Sequence, residues 1–155
     1  MNVLRERKEK LYIMIQKKST KEKNVKFGWW SVELPSNWTY RQDKECVAFY
    51  AEPTVGVLQI SAHRKPRGRV TNDDIKEFTQ EHIDAGGKLI KIKLEHMEGF
   101  WVQYISNDIY SKELWLRDHG IILFVTYNVE AISKHKETKA ISHILNSLKV
   151  EDKKD

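Results

Sequence analysis

The densest chemical feature of the sequence is a run of cations, His63-Arg64-Lys65-Pro66-Arg67-Gly68-Arg69. Arginine guanidinium groups bind phosphate oxygens through paired N–H donors, and nearby tryptophans can stack on bases. No nucleic-acid motif accompanies the run, so nucleic acid is the less favoured partner. Two interpretations stay open: a solvated loop, or a site for an anionic partner. The cations of that site would be Arg64, Lys65, Arg67 and Arg69.

Residue types that could act as nucleophiles or metal ligands are present but poorly arranged. Ser61 and His63 lie two apart in a predicted strand and share a face, yet no orienting acid follows them. Cys46 falls in an apolar strand, where a small buried side chain is expected. His82 and His96 form no ligand pair with a carboxylate. The sequence therefore predicts no enzyme, no cofactor and no metal site.

Tryptophan alternates with polar residues on two later strands. Alternation places Trp101 with Gln103 on one face of the first strand, and Trp115 with Arg117 on one face of the second. We expect these faces to coincide and to include Gln59. Tryptophan beside arginine is a frequent interface pairing, so the hypothesis is a surface that binds a partner protein. The alternative is that the leader or a helix covers this face.

The elements that must position these residues are mainly strands. Alternating apolar residues and turn signals predict strands at residues 25–34, 38–42, 46–51, 55–64, 88–95, 99–105, 110–117 and 121–129. Thr71 before acidic residues predicts a helix start, and Gly86-Gly87 predicts its end. Residues 131–148 carry apolar side chains at helical spacing. Several strands, a helix, more strands and a closing helix predict an α+β fold with a mostly antiparallel sheet.

Charge divides the chain into parts. Residues 1–26 hold nine of the 27 Lys and Arg residues and three of the 22 acidic ones, which leaves the remainder close to neutral. We therefore expect a basic leader at 1–24, one domain at 25–150 and a charged tail at 151–155. A basic leader aids solubility or binds an anionic partner. One cysteine, no apolar run long enough for a membrane helix and no signal-peptide pattern predict a cytoplasmic protein.

Four stretches resemble the Mog/PsbP-like domain family, which includes DcrB-like and Eag-type effector-chaperone relatives. They are the opening Phe27–Trp38 with its Leu34-Pro35 and Trp38, the strand Val57–Ser61 before the acid-capped helix, and the endings Phe124–Asn128 and Ile144–Leu148. The resemblance covers residues 25–150.

The resemblance implies an α/β/α sandwich with a curved sheet of about six or seven strands and two main helices. It also implies a non-catalytic binding module, because family members are accessory, import, lipoprotein and effector-chaperone proteins. The expected partner is another protein, bound as an apolar or mixed segment on the tryptophan-bearing face. The oligomeric state is left open.

Overall fold

Seven antiparallel strands form the main sheet of the protein. The computed structural model describes residues 22–151, so most of the predicted leader and tail lies outside the described residues. The order across the sheet is β3-β4-β5-β9-β8-β7-β6. These strands are β3 (Trp38–Gln42), β4 (Val47–Ala51), β5 (Val57–Arg64), β6 (Ile90–Lys93), β7 (Glu98–Ser106), β8 (Ile109–Asp118) and β9 (Ile121–Glu130).

A second sheet of three strands corrects the prediction of one strand at 25–34. β1 (Lys23–Phe27) and β2 (Trp30–Leu34) form a hairpin, and β10 (Lys149–Val150) pairs with the other edge of β2. The reversal occurs at Gly28, whose φ of +67° favours glycine. Sequence reasoning missed this turn because Phe27, Trp29 and Trp30 flank Gly28, and the polar residues that usually mark a turn are absent between them.

The inner face of the main sheet holds the larger core. Alternation buries side chains such as Phe49, Leu58 and Val125 there. The helix α3 (Thr138–Ser147) packs on this face and buries Ile141, Ile144 and Leu145. A short 3-10 helix at Ala131–Ser133 precedes α3, so the predicted helix at 131–148 is divided. The small sheet completes this layer through Trp30, Val32 and Leu34, which belong to the same core.

Two short helices cover part of the outer face. α1 (Asn72–Phe78) and α2 (Gln80–Asp84) replace the single predicted helix, and they meet at Thr79. Thr79 is buried, and its hydroxyl donates to the carbonyl of Ile75 at 2.9 Å. Beneath the helices, a smaller core contains Ile75 and Trp115. Helices on both faces of a mostly antiparallel sheet confirm the predicted α+β class.

α1 begins after the predicted N-cap at Thr71, and two capping hydrogen bonds explain why the helix starts there. The Thr71 hydroxyl accepts from the N–H of Asp74 at 3.1 Å, and the Asp74 carboxylate accepts from the N–H of Thr71 at 2.8 Å. Lys65 Nζ lies 2.8 Å from the same carboxylate.

The described residues contain no helix that is both long and apolar enough to cross a membrane.

Asp74→Asn is expected to destabilise the protein by an amount that depends on pH. The bond from Lys65 and the bond from the N–H of Thr71 hold the pKa of Asp74 below its ordinary value of 3.8. A depressed folded-state pKa stabilises above the unfolded value, and this contribution disappears as pH falls through the folded value. Denaturant unfolding should show a gap between wild type and variant near neutral pH that closes below the ordinary value. A constant gap would contradict this explanation.

Candidate binding site

The five residues predicted to share one face do not do so. In the β7–β8 pairing, Trp101 lies opposite Leu114, while Phe100 lies opposite Trp115. Directly paired residues of antiparallel strands point to the same side. Trp101 and Gln103 are therefore on the inner face, whereas Trp115, Arg117 and Gln59 are on the outer face. The predicted grouping is wrong because it assumed that the two tryptophans faced the same way.

Trp115 is covered by the helical pair, which is the alternative the sequence left open. It is 6% exposed and contacts His82 of α2 edge-on, with ring centroids 5.4 Å apart. Arg117 at the end of β8 donates to Asn72 of α1 at 2.8 Å and to Glu98 of β7 at 2.8 Å. These two side chains hold the helices on the sheet and are not available as a binding surface.

Trp101 and Gln103 lie on the inner face, near α3. The ammonium group of Lys112 sits 4.4 Å from the centroid of the Trp101 ring. The Gln103 side-chain carbonyl accepts a hydrogen bond from the hydroxyl of Tyr110 at 2.8 Å. Gln103, Tyr110 and Lys112 line one cavity against α3.

Gln59 lies in the part of the outer face that α1 and α2 leave uncovered. Gln59 of β5 is exposed and pairs with Thr126 of β9. Here the sheet forms an open concavity of about 660 Å³. Phe124 gives it an aromatic side, and its ring lies 5.5 Å from that of the covered Trp115. The chain segment 44–46 forms another wall. We call this surface the open half-face.

The open half-face also contains the residues considered as nucleophiles. The Ser61 hydroxyl and Nε2 of His63 are 3.3 Å apart, and Cys46 lines the same concavity. Within residues 22–151, no carboxylate forms a hydrogen bond or ion pair with the His63 ring. The orienting acid of a hydrolytic triad is therefore missing from the described part of the chain.

The cationic loop 63–69 is partly occupied by contacts within the chain. The Arg64 guanidinium lies over the Trp29 ring, 4.9 Å from its centroid. Lys65 forms the ion pair with Asp74 that supports α1. The other two predicted cations are exposed: Arg67 and Arg69. Arg64 and Lys65 of the predicted anion site thus contact neighbouring aromatic and acidic groups.

One group of side chains has the donor types of a metal site. Oε1 of Glu22 lies 3.1 Å from Nε2 of His143, and Oε2 of Glu33 lies 3.8 Å from it. The three donor atoms lie within 4.8 Å of one another, and all three side chains are at least partly exposed. Sequence reasoning missed the group, because its members come from the residue before β1, from β2 and from α3.

Two further residues were missed by sequence reasoning. Glu137 is buried, and its carboxylate accepts from the Tyr127 hydroxyl at 2.7 Å and from the N–H of Gly56 at 2.9 Å. Burial, and then this bond to Glu137, raise the pKa of Tyr127. Lys112 occupies an inward position of β8, where burial lowers its pKa. The available signal was a lysine at an inward position of the pattern Tyr110-Lys112-Leu114-Leu116.

Comparison with known proteins gives likeness at the level of the fold. No family model and no curated protein matches the chain. A crystal structure of a Bacteroides thetaiotaomicron protein is 16% identical with a TM-score of 0.63; the match covers 86% of this chain but only 49% of that one, about half its length. The solution structure of cyanobacterial PsbP (CyanoP) from Synechocystis is 12% identical with a TM-score of 0.59, covering 86% of this chain and 93% of that one. The fold of this chain is therefore PsbP-like.

Proposed function

We propose that this chain is a non-catalytic module that binds an extended segment of a partner protein on the open half-face. The observation that carries the proposal is the uneven cover of the main sheet. α3 and the small sheet pack on its inner face, but its outer face is covered by described residues only over β7, β8 and part of β9. A sheet surface that the described chain leaves open is suited to a partner.

The side chains of the open half-face suit a mixed rather than a purely apolar segment. Phe124 offers an aromatic surface next to the covered Trp115. Gln59, Ser61 and Thr126 offer amide and hydroxyl groups that can bond a peptide backbone. Apolar contact with a few polar groups that fix orientation is the usual pattern of such sites.

The sequence resemblance and the composition of the chain supply two features of the proposal and one alternative to it. An effector-chaperone role of the Eag type is its most concrete version, supported by the likeness of Phe27–Trp38 to the opening of those domains. A cytoplasmic location is proposed on the strength of a single cysteine. The second hypothesis is an anionic partner bound by the basic leader and loop 63–69.

Gln59→Arg is expected to weaken peptide binding about tenfold or more, because a long cation would cross the concavity and lose water on burial. The ligands would be peptides selected from a displayed random library and measured by fluorescence polarisation. Ser106→Arg, which adds the same charge at the β7–β8 turn, is the matched control and should bind normally.

Salt separates the two hypotheses. Peptide affinity on the open half-face should change little between about 0.1 M and about 0.5 M salt. At the higher concentration, exposed charges interact over only a few ångströms. An anionic partner should dissociate steeply over the same range, and Gln59→Arg should not weaken it. Failure to select any peptide, or equal binding to the Gln59→Arg protein, would refute the proposed site.

A further inference from the structure

A separate cavity lies on the other side of the sheet, between the inner face and α3. Its volume of about 330 Å³ is within the range of small-molecule sites. Ile92 of β6 and Ile141 and Leu145 of α3 give it apolar walls. Because the main sheet separates this cavity from the open half-face, the two surfaces can be occupied independently.

Lys112 brings a positive charge into these apolar surroundings. Tyr127 and Gln103 are its partners on the neighbouring strands, so its side chain points toward α3. Its ammonium group contacts the Trp101 ring, and no carboxylate of residues 22–151 lies within ion-pair distance of it. Loss of water around the amine lowers the pKa of Lys112, with no acid offsetting that loss.

The rest of the described lining adds a second lysine and mostly uncharged side chains. Lys134 and His135, which precede α3, also line the cavity, and no Asp or Glu of residues 22–151 does so. The nearby carboxylate of Glu137 is held by Tyr127 and Gly56. The described lining of this cavity thus combines aliphatic walls with a partly buried cation that has no acidic partner among residues 22–151, and an anionic ligand would supply that partner.

We propose that this cavity binds a small carboxylate with an apolar body, whose carboxylate pairs with Lys112 while its hydrocarbon part lies against Ile141 and Leu145. Gln103 and the Tyr110 hydroxyl, which are hydrogen-bonded to each other at 2.8 Å, line the same cavity and can serve as further polar partners of the carboxylate. This site is independent of the proposed peptide-binding function.

The test is calorimetric titration of the full chain with sodium octanoate, 1-octanol and octylammonium. Octanoate should bind saturably, the neutral alcohol about tenfold more weakly, and the cation not measurably. Lys112→Met should lose about tenfold or more in octanoate affinity but keep the weak octanol binding. The variant should fold, because methionine removes a charge that burial disfavours while keeping the apolar stem.

Two controls locate the site. Lys139→Met removes an exposed lysine of α3 outside the cavity and should leave octanoate binding unchanged. Ser142→Trp, at an exposed lining position, should block octanoate and octanol alike. Absence of saturable octanoate binding at millimolar concentration would overturn the proposal. So would equal affinity of wild type and Lys112→Met, or equal binding of octanoate and octylammonium.

Discussion

Replacing Glu137 by alanine is expected to lower the free energy of unfolding by roughly 2–5 kcal/mol, the cost of two buried donors left without acceptors. The donors are the Tyr127 hydroxyl at 2.7 Å and the N–H of Gly56 at 2.9 Å. Both hydrogen bonds are buried, so each donor is removed from bulk solvent in the folded chain. Urea unfolding followed by tryptophan fluorescence would measure the loss.

Glu137→Gln is the matched control. Its amide oxygen can accept both hydrogen bonds, so this variant should lose much less than the alanine variant. If the two variants lose equal stability, the negative charge would be the stabilising feature. If neither loses stability, the hydrogen bonds to Tyr127 and Gly56 contribute nothing and the explanation fails.

Gly99→Ala should cost about 3 kcal/mol or more, because the added methyl group has no space. Gly99 of β7 pairs with Leu116 of β8, and a Cβ atom here would overlap the carbonyl oxygen of Trp115. That oxygen belongs to the backbone of a central strand, so it cannot rotate away as a side chain can. Thermal unfolding monitored by circular dichroism would show the effect as a large fall in the midpoint.

Gly68→Ala distinguishes this steric effect from the general effect of removing a glycine. Gly68 lies in the exposed loop with φ of +75°, and an added Cβ meets no atom within 4 Å. Alanine there should cost only about 1 kcal/mol through backbone strain. Equal losses at the two positions would show that β8 moves to admit the methyl group at Gly99.

The strands and the fold class were accessible from the sequence, because alternation and turn residues act locally. The strand predicted at 55–64 forms over Val57–Arg64, and the N-cap lies at Thr71 as the pattern predicts. Apolar residues at helical spacing likewise predicted the buried face of α3. The hairpin at Gly28 was missed because its turn carries aromatic residues on both sides.

Whether Trp101 and Trp115 share a face of the sheet depends on the length of the β7–β8 turn, because a change of one residue reverses the answer. Asn107 and Asp108 both have positive φ and form a two-residue turn, which sets Ser106 opposite Ile109. A pairing shifted by one residue would place Trp101 opposite Trp115, as the sequence analysis assumed. The sequence pattern locates this turn only within residues 106–109 and does not specify the register, so the candidate face could not be derived from local pattern.

Contacts between residues that are far apart in the chain were the second feature that sequence reasoning could not predict. Gly56, Tyr127 and Glu137 meet only after β9 has paired with β5 and the chain has turned into α3. Nothing in the types of these residues marks them as partners. Lys112 could be noticed as a lysine in an apolar alternation, but the absence of an acid around it is a property of the folded chain.

The strand order also has a consequence for how the chain assembles. β3, β4 and β5 form one meander, and β6 to β9 form another, each made of neighbours in sequence. The two are joined by a single seam, the pairing of Val57–Arg64 with residues 121–128. Closing that seam fixes the long intervening chain, so it carries the largest loop-closure entropy in the main sheet. Every other pairing in the main sheet joins strands that are neighbours in sequence, so this seam is the non-local contact of the sheet.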